Sequence, residues 1–273
     1  MAIKLIGGTS GIPLETTALG EALVFIPQTQ QVVSRDVYSE IAQGLIAGQV
    51  SESMAGYNLA VGTTFEPLTV ASGATYPIVN TPTVLTISSD ATTDVFGTGT
   101  GAWKVLVQGV TTGFVEASEM VQLNGRNPIN TVNTYLAINH LTVVAAGTNL
   151  SNNGAIYAGF GTVTTGVPAS VLCAIAINEN TSQNCVLTVP AGKTWEVKMF
   201  SISSNGAGFV QLRTRTNLGL IYFDNTLPIS AGYGVLPSFV PKVIPEKTQV
   251  QLWCRGVAAI SVGAVLQGVL RDN

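Results

Sequence analysis

Two carboxylates near one another are the residues of this chain whose type and spacing first suggest chemistry. Asp90 and Asp94 lie four residues apart in the loop SSDATTD, and carboxylates are common ligands of Ca²⁺. Calcium takes about six to eight oxygen ligands, and no third or fourth ligand is evident nearby in the sequence. We therefore expect a solvated loop and predict no metal site.

A glycine-rich loop follows at once, spaced as Gly97-x-Gly99-x-Gly101. Phosphate-binding glycines lead into a helix whose N-terminal amides hold the anion. Here the loop leads into the strand-like run WKVLVQ, so the element that would hold a phosphate is missing. The pattern predicts a turn and no nucleotide cofactor.

His140 is the single histidine, so acid–base catalysis by imidazole would depend on it alone. Simple alternation places it on one face of a long strand, residues 133–146, together with Leu136, Ile138, Thr142 and Val144. No G-x-S-x-G sequence is present. We expect a hydrogen-bonded histidine at a sheet surface or subunit contact.

Acidic catalysis is the remaining enzymatic alternative, as in a polysaccharide depolymerase, which needs paired carboxylates with tuned pKa values. Glu116 and Glu119 lie in one predicted turn, and the other acids of the β-rich part are scattered. We predict a chain that is not an enzyme, with no catalytic residues and no cofactor.

The three cysteines, Cys173, Cys185 and Cys254, lie far apart without a C-x-x-C pair. This spacing matches neither a disulfide framework nor a zinc site, so each is expected to be a small buried hydrophobe. The first residues lack the apolar region of a signal peptide. We expect assembly in a reducing cytoplasm.

Short β-branched runs cut by Gly and Asn-Gly predict antiparallel strands throughout. Their spacing is typical of sandwiches and jelly rolls. We predict an all-β chain with an antiparallel β-sandwich or jelly-roll-like body at residues 67–273, optionally divided into 67–168 and 169–273. Residues 1–66 would form an extended N-terminal arm and one short helix.

The predicted helix runs from Ser34 to Ile46, with Ser34 as N-cap and Val37, Ile41 and Leu45 on one face. It could pack on a sheet end or dock on a partner. The arm could add a strand to a neighbour's sheet or close its own domain. Residues 48–69 are weakly patterned and predict a linker. The predicted partner contacts are Ile3, Leu5, Leu23, Val24, Phe25, Val37, Ile41, Leu45, Arg213 and Arg215.

Arg213 and Arg215 share one face of the strand-like run FVQLRTRT with Gln211. They could contact an acidic protein surface, a glycan or nucleic acid, although exposed arginines without such a role are commoner. The net charge of −3 and the lack of a basic stripe interleaved with aromatics argue against direct nucleic-acid recognition.

Charged residues make up only 10% of the chain, against about 25% in ordinary globular proteins. No apolar run approaches the roughly 18 residues of a membrane helix, so no membrane contact is predicted. Residues 1–103 hold two basic and eight acidic side chains, and residues 181–273 hold eight basic and four acidic ones. We predict contacts between copies that pair these two parts.

Four sequence elements carry a resemblance to known proteins: GTGAWKVLVQGV, EMVQLNGRNPINTVNTYLAINHLTVVAAGT, LTVPAGKTWEVKMFSIS and VIPEKTQVQLWCRGVAAISVGAVLQGVL. In this order they resemble a loosely defined family of virion structural proteins from tailed bacteriophages. The resemblance spans residues 84–273, and the chain departs from it at Gly113-Phe114-Val115, where a more polar turn is expected. It implies a β-rich, symmetric, particle-bound component and no shared catalytic residues.

The resulting hypothesis is a capsid-associated decoration or cement protein of a virion, assembled in the bacterial host cytoplasm. Its partners would be copies of itself, with a trimer favoured, and the major capsid or other virion proteins. The alternative is a tail, baseplate or head-fibre component that binds a host-surface glycan. Trp103, Tyr157, Trp195, Tyr222 and Trp253 could then stack on sugars, although large aromatics in sandwiches normally face inward.

Overall fold

The computed structural model describes residues 15–16, 22–23, 37–70 and 76–273, with the backbone alone at 15–16, 22–23 and 236–241. This part is nearly all β, with one α-helix, α1 (Val37–Ala42). The strands are β1 (Glu15–Thr16), β2 (Ala22–Leu23), β3 (Gln49–Val61), β4 (Glu66–Pro67), β5 (Thr83–Ser89), β6 (Ala102–Val110), β7 (Glu116–Gln122), β8 (Ile129–Tyr135), β9 (Ala137–Ala146), β10 (Ile156–Thr164), β11 (Val167–Ile175), β12 (Val186–Thr188), β13 (Lys193–Ser204), β14 (Gly208–Arg215), β15 (Ile221–Ile229), β16 (Gly232–Ile244), β17 (Gln249–Gly256) and β18 (Ile260–Asp272).

The described strands form four larger antiparallel sheets, which are arranged like a four-bladed propeller. Sheet 1 has the order β11-β10-β5-β8, and sheet 2 has the order β7-β6-β9. Sheet 3 has the order β16-β13-β18-β3, and sheet 4 has the order β12-β17-β14-β15 with β4 on β17. The predicted all-β class with antiparallel strands is confirmed.

Two hydrophobic cores lie between these sheets in pairs. The first core joins sheets 1 and 2 and includes Leu85, Val105 and Ile156. The second core joins sheets 3 and 4 and includes Trp195, Leu252 and Leu266. Alternating apolar residues give each strand one core-facing side, which is why burying a strand requires a facing sheet.

Short β12 connects the two cores. It pairs with β17 in sheet 4, yet its Val186 packs in the first core. The side-chain amide of Asn139 on β9 donates to the Thr188 carbonyl at 2.9 Å and accepts from the Thr188 amide at 2.8 Å. The Asn139 side chain therefore links sheet 2, which borders the first core, to the backbone of β12 in sheet 4, which borders the second core.

The predicted linker at residues 48–69 is wrong for most of its length. Strand β3 (Gln49–Val61) pairs along β18, from Gln49 opposite Arg271 to Val61 opposite Ile260. Its polar run lacks clear alternation because it is an edge strand, with much of its surface in solvent. The predicted division between residues 66 and 67, and the further division at 168, stay predictions.

The predicted helix and the predicted long strand are both shorter than expected. The helix begins at Val37 within the described residues and ends at Ala42, and Ser34 lies outside them. The run at 133–146 breaks at Leu136, which separates β8 in sheet 1 from β9 in sheet 2. One pattern of β-branched residues thus covers two strands on opposite sides of a core.

The predicted face of His140 is also corrected. Gly109 pairs with Ile138 and Gln108 with His140, so Asn139 is an extra residue on β9. Such a bulge reverses the alternation beyond it. Ile138 and Leu141 are therefore both buried, and His140 does not share the core face of Ile138.

All three cysteines are free and buried, as predicted. Burial raises the pKa of the Cys173 thiol to about 12, and it raises the pKa of Cys254 to about 12 as well. Burial also raises the pKa of Cys185. A thiolate is costly in an apolar core, so these side chains stay protonated and pack as hydrophobes.

No helix in the described part of the chain is both long and apolar enough to cross a membrane. Within the same ranges, histidine, cysteine and carboxylate side chains do not gather in groups of three that could hold a metal ion.

Candidate interaction surface

Asp94 is a buried structural carboxylate and not part of a solvated loop. Its side chain is 0% exposed. Oδ1 accepts hydrogen bonds from the amides of Ala102 at 2.7 Å and Asn153 at 2.9 Å. Oδ2 accepts from Ser89 Oγ at 2.6 Å and the Gly154 amide at 3.0 Å. Four donors thus compensate the desolvation of this group, and it holds together three segments beside sheets 1 and 2.

The glycine-rich loop is shaped by close packing around Asp94. A Cβ on Gly101 would lie 2.0 Å from Asp94 Oδ1, and one on Gly99 would lie 2.0 Å from the Thr93 carbonyl oxygen. The Asp94 carbonyl also accepts from the amide of Gly125 at 2.8 Å. These glycines permit backbone contact with the buried carboxylate, and the loop leads into β6 as expected from the sequence.

The remaining candidate acid–base residues form separate contacts. His140 Nε2 lies 2.9 Å from Glu52 Oε1 on β3. Glu116 pairs with Lys193 at 2.9 Å, and Glu119 accepts from the Val132 and Asn133 amides. Both glutamates lie on β7 and not in a turn, which corrects the sequence prediction.

The main exposed apolar surface of sheet 4 is its edge strand β15, together with the turn that precedes it. Gly219, at φ 82°, allows the tight turn from β14, and the Thr216 amide donates to the Leu220 carbonyl at 3.0 Å. Successive large side chains are exposed here, with Phe223 at 61%. The others are Leu218, Leu220, Ile221, Tyr222 and Leu227.

Strand β15 lies at the end of sheet 4 and pairs with β14 on one side. An edge strand offers unpaired amides and carbonyls to another chain unless charge, proline or a bulge blocks it. Pro228 and the bulge opposite Leu212 and Arg213 limit this edge. At the start of this strand the exposed side chains of Ile221 and Phe223 lie on one face and that of Tyr222 lies on the other.

An apolar cavity of about 230 Å³ lies behind β15, between sheets 3 and 4. Asp224 of β15 and Lys242 of β16 form an ion pair of 3.3 Å that joins the edges of these two sheets. The second carboxylate oxygen of Asp224 is buried without a hydrogen-bond partner in the described structure. The described lining includes Val197, Met199, Leu212, Leu227, Leu252 and Leu266.

Arginines and aromatic rings alternate on the face of sheet 4 opposite the second core, where Trp253 also packs against the first core. The Arg213 guanidinium carbon lies 3.8 Å from the ring centroid of Trp253 and 5.0 Å from that of Phe223. The ring centroid of Phe65 lies 5.7 Å from the guanidinium carbon of Arg213 and 5.2 Å from that of Arg255. We call this set the arginine ladder; its members are Phe223, Arg213, Trp253, Phe65, Arg255 and, at 4.7 Å from Arg255, Phe209.

The cross-strand register produces the arginine ladder. Phe223 on β15 lies opposite Arg213 on β14, and Phe209 lies opposite Arg255 on β17. Arg213 Nε donates to Gln211 Oε1 at 2.6 Å, which orients its guanidinium group. Burial lowers the pKa of Arg213, because a charged group is less stable away from water.

Arg215 does not join the ladder, although the sequence pairs it with Arg213. Its Nη2 donates to Asn80 Oδ1 at 2.7 Å, in a segment whose Tyr76 and Val79 belong to the first core. Burial lowers the pKa of Arg215, and the nearby Tyr76 opposes that shift. Arg215 therefore links sheet 4 to the first core.

The predicted partner contacts at the N-terminus stay predictions. Ile3, Leu5, Val24 and Phe25 lie outside the described residues, and Leu23 lies on β2, which pairs with β1. Ile41 is 4% exposed and packs within its own chain. Val37 is exposed on α1, and Leu45 is exposed three residues after the end of that helix.

The sugar-stacking aromatics also separate into different environments. Trp195 is fully buried, whereas Tyr222 is 51% exposed. Trp103 donates to the Gly99 carbonyl at 2.7 Å, and Tyr157 lies near Asp90. Only Trp253 belongs to the arginine ladder among these candidates. In the sequence, Trp253 and Arg255 are two residues apart on β17, and Phe209 and Arg213 are four residues apart on β14. Each pair therefore lies on one strand face, and this spacing is the signal that could have indicated the ladder.

Comparison with known proteins assigns no family. No known family pattern matches the chain, and no characterised protein sequence matches it. Solved structures of infectious bursal disease virus, from the Gt and Gx strains, align with 82% of this chain at 12% and 11% identity and a TM-score of 0.21. They are covered over 73% and 71% of their own length.

A Cry1Da tryptic core variant from Bacillus thuringiensis aligns with 80% of this chain, over 58% of its own length, at 8% identity and a TM-score of 0.19. TM-scores of this size do not establish a common fold.

Proposed function

We propose that this chain is a non-enzymatic structural component of a tailed-bacteriophage virion, and specifically a decoration or cement protein of the capsid. The resemblance of residues 84–273 to phage virion proteins supports the virion role. The exposed apolar strand β15 supports assembly by contact, because such a surface usually marks an interface. The protein would be made in the bacterial host cytoplasm and function on the particle.

Strand β15 carries the proposal for contacts between copies. Its segment Ile221–Leu227 combines a strand edge that is unpaired within the described residues with large exposed side chains, and either a second copy or a capsid protein could cover it. We propose a trimer in which each copy covers the β15 edge of its neighbour on the face that carries Tyr222, which leaves Phe223 on the opposite face exposed. We also propose that each facing pair of sheets is a β-sandwich.

Sedimentation analysis of charge variants tests this interface. Leu220→Lys combined with Tyr222→Lys should convert the oligomer to monomers without loss of secondary structure, because two buried ammonium groups would be required in the contact. Val132→Lys is the matched control, since Val132 is 90% exposed on β8 of sheet 1. An unchanged sedimentation coefficient in the double variant would remove β15 as the interface.

Particle binding tests the role of the N-terminal residues. Removal of residues 1–46 keeps β3, which begins at Gln49, and should leave the two cores folded while abolishing association with capsids. Full binding by the truncated chain would show that the anchor lies elsewhere. Immunogold electron microscopy with an antibody to residues 181–273 then places the protein, and label on the head is the expected result.

A tail, baseplate or head-fibre component with a receptor-binding surface is the second candidate. The observation that favours it is the arginine ladder, in which an exposed ring lies beside a guanidinium group. Immunogold label at the tail tip or collar would support this candidate over capsid decoration.

A further inference from the structure

We infer that the arginine ladder is a binding site for a carboxylated sugar, such as a uronic acid residue in an acidic polysaccharide. The inference deepens the second candidate function, but it concerns purified protein and does not depend on the place of the chain in a particle. It rests on Arg213, Trp253 and Phe223.

The first observation is that neither ladder arginine has a carboxylate partner in the described part of the chain. The ion pairs found there involve other cations, such as Lys242 with Asp224 and Arg271 with Glu196. Arg255 Nε is buried and has no hydrogen-bond partner among the described residues. The positive charges of both arginines are therefore not neutralised by a carboxylate within the described residues, which favours an anion bound at this face.

The second observation is the orientation imposed by the rings. The ring centroid of Trp253 lies 3.8 Å from the Arg213 guanidinium carbon. This is the stacking distance for a planar cation over an aromatic face. A stacked guanidinium keeps its in-plane N–H groups free for a planar acceptor. Gln211 takes the Nε hydrogen of Arg213, which leaves the terminal N–H groups as donors of the kind that bind a carboxylate at two points.

The third observation distinguishes a sugar from a simple anion. Phe223 is 61% exposed and 5.0 Å from the Arg213 guanidinium carbon. A flat apolar ring beside a cation suits a ligand that is itself part apolar and part anionic. The C–H face of a pyranose would pack on Phe223 while its carboxylate binds Arg213, and sulfate could use only the second contact.

The measurement is Trp fluorescence and calorimetric titration of the full chain with three probes: a trigalacturonate, a neutral galactose trisaccharide and inorganic sulfate. Trp253 lies in the ladder and reports occupancy. We expect saturable binding of trigalacturonate that weakens with salt, at least about tenfold weaker binding of sulfate, and none of the neutral sugar. Equal binding of the neutral sugar, or no binding of trigalacturonate at millimolar concentration, would overturn the inference.

Variants separate the two contacts. Arg213→Gln should weaken trigalacturonate binding at least about tenfold, since hydrogen bonds to charged groups contribute this much. Phe223→Ala should weaken trigalacturonate binding and leave sulfate binding unchanged. Should Arg213→Gln unfold, Arg213→Lys keeps the charge and loses the two-point contact. Binding that is unaffected in folded Arg213→Lys and Phe223→Ala proteins would rule out the site.

A matched control comes from the other half of the molecule. Lys104 lies 4.9 Å from the ring centroid of Phe96, so Lys104→Gln removes a cation over a ring outside the ladder. This variant should bind trigalacturonate as the parent does. An equal loss of affinity in Lys104→Gln would show general charge attraction and contradict a site at Arg213.

Discussion

His140 Nε2 lies 2.9 Å from Glu52 Oε1 and joins the halves of the molecule that surround the two cores. His140 is on β9 of sheet 2, and Glu52 is on β3 of sheet 3. The two side chains are 32% and 20% exposed, so water screens the contact only in part. The single histidine therefore connects two sheets that share no core.

The first prediction concerns this contact. Glu52→Ala should lower the free energy of unfolding by about 0.5–1 kcal/mol, because a partly exposed pair contributes little more than that. A double-mutant cycle with His140→Ala isolates the pair from other effects of truncation. Additive losses, with no coupling energy, would mean that the contact does not stabilise the protein.

The second prediction concerns the buried carboxylate of Asp94. Asp94→Asn replaces one acceptor oxygen with an NH₂ group that faces N–H or O–H donors, so urea denaturation should show a loss of about 3 kcal/mol. Asp90→Asn is the control, since its Oδ1 accepts a bond from Ala155 at 2.9 Å that an amide oxygen can retain. Similar losses in both variants would contradict the special role of Asp94.

The third prediction concerns the glycine-rich loop. Gly101→Ala would place a methyl group 2.0 Å from Asp94 Oδ1, and it should destabilise the protein by about 1–3 kcal/mol through overpacking. Gly62→Ala is a matched control, since the nearest atom to its added Cβ is Glu66 Oε1 at 3.7 Å. Thermal unfolding of the two variants should differ clearly, and equal midpoints would remove the packing explanation.

The fourth prediction concerns alkaline pH. Burial raises the pKa of Cys173 and of Cys254 from 9.0 to about 12, so the unfolded chain releases these protons first. Stability should be constant with respect to these thiols below about pH 9 and fall as pH rises toward 12, by about 1.4 kcal/mol per pH unit for each thiol.

Urea unfolding at several pH values between about 8 and 11 measures this slope. A variant with alanine at all three cysteines should show a shallower decline, with a remainder from Tyr157, whose pKa burial raises to about 12. An unchanged slope in that variant would assign the alkaline loss of stability to other groups.

Some structural features followed directly from residue patterns. Short β-branched runs separated by Gly and Asn-Gly predicted antiparallel strands, and the turns at Gly125 and Gly192 occur with positive φ. The buried state of the cysteines also followed from their spacing and type. These are local properties, because backbone preferences and side-chain polarity act within a few residues.

Strand β3 and the β9 bulge were not predictable in the same way. Residues 49–61 form a strand because β18 supplies a complementary edge over its length, although their own pattern is weak. The extra residue at Asn139 reverses a face that simple alternation assigns otherwise. Pairing partner and register depend on distant segments, so a local pattern does not determine them.

The sequence by itself determined an all-β chain with low charge and buried thiols, since these follow from composition and alternation. Only the tertiary structure decided that Asp94 is buried and that Arg213 stacks on Trp253. Both arrangements bring together residues that are far apart in the chain, such as Asp94 with Asn153 and Arg213 with Phe65. Contacts of this kind arise from sheet pairing and packing, because those interactions set which distant side chains become neighbours.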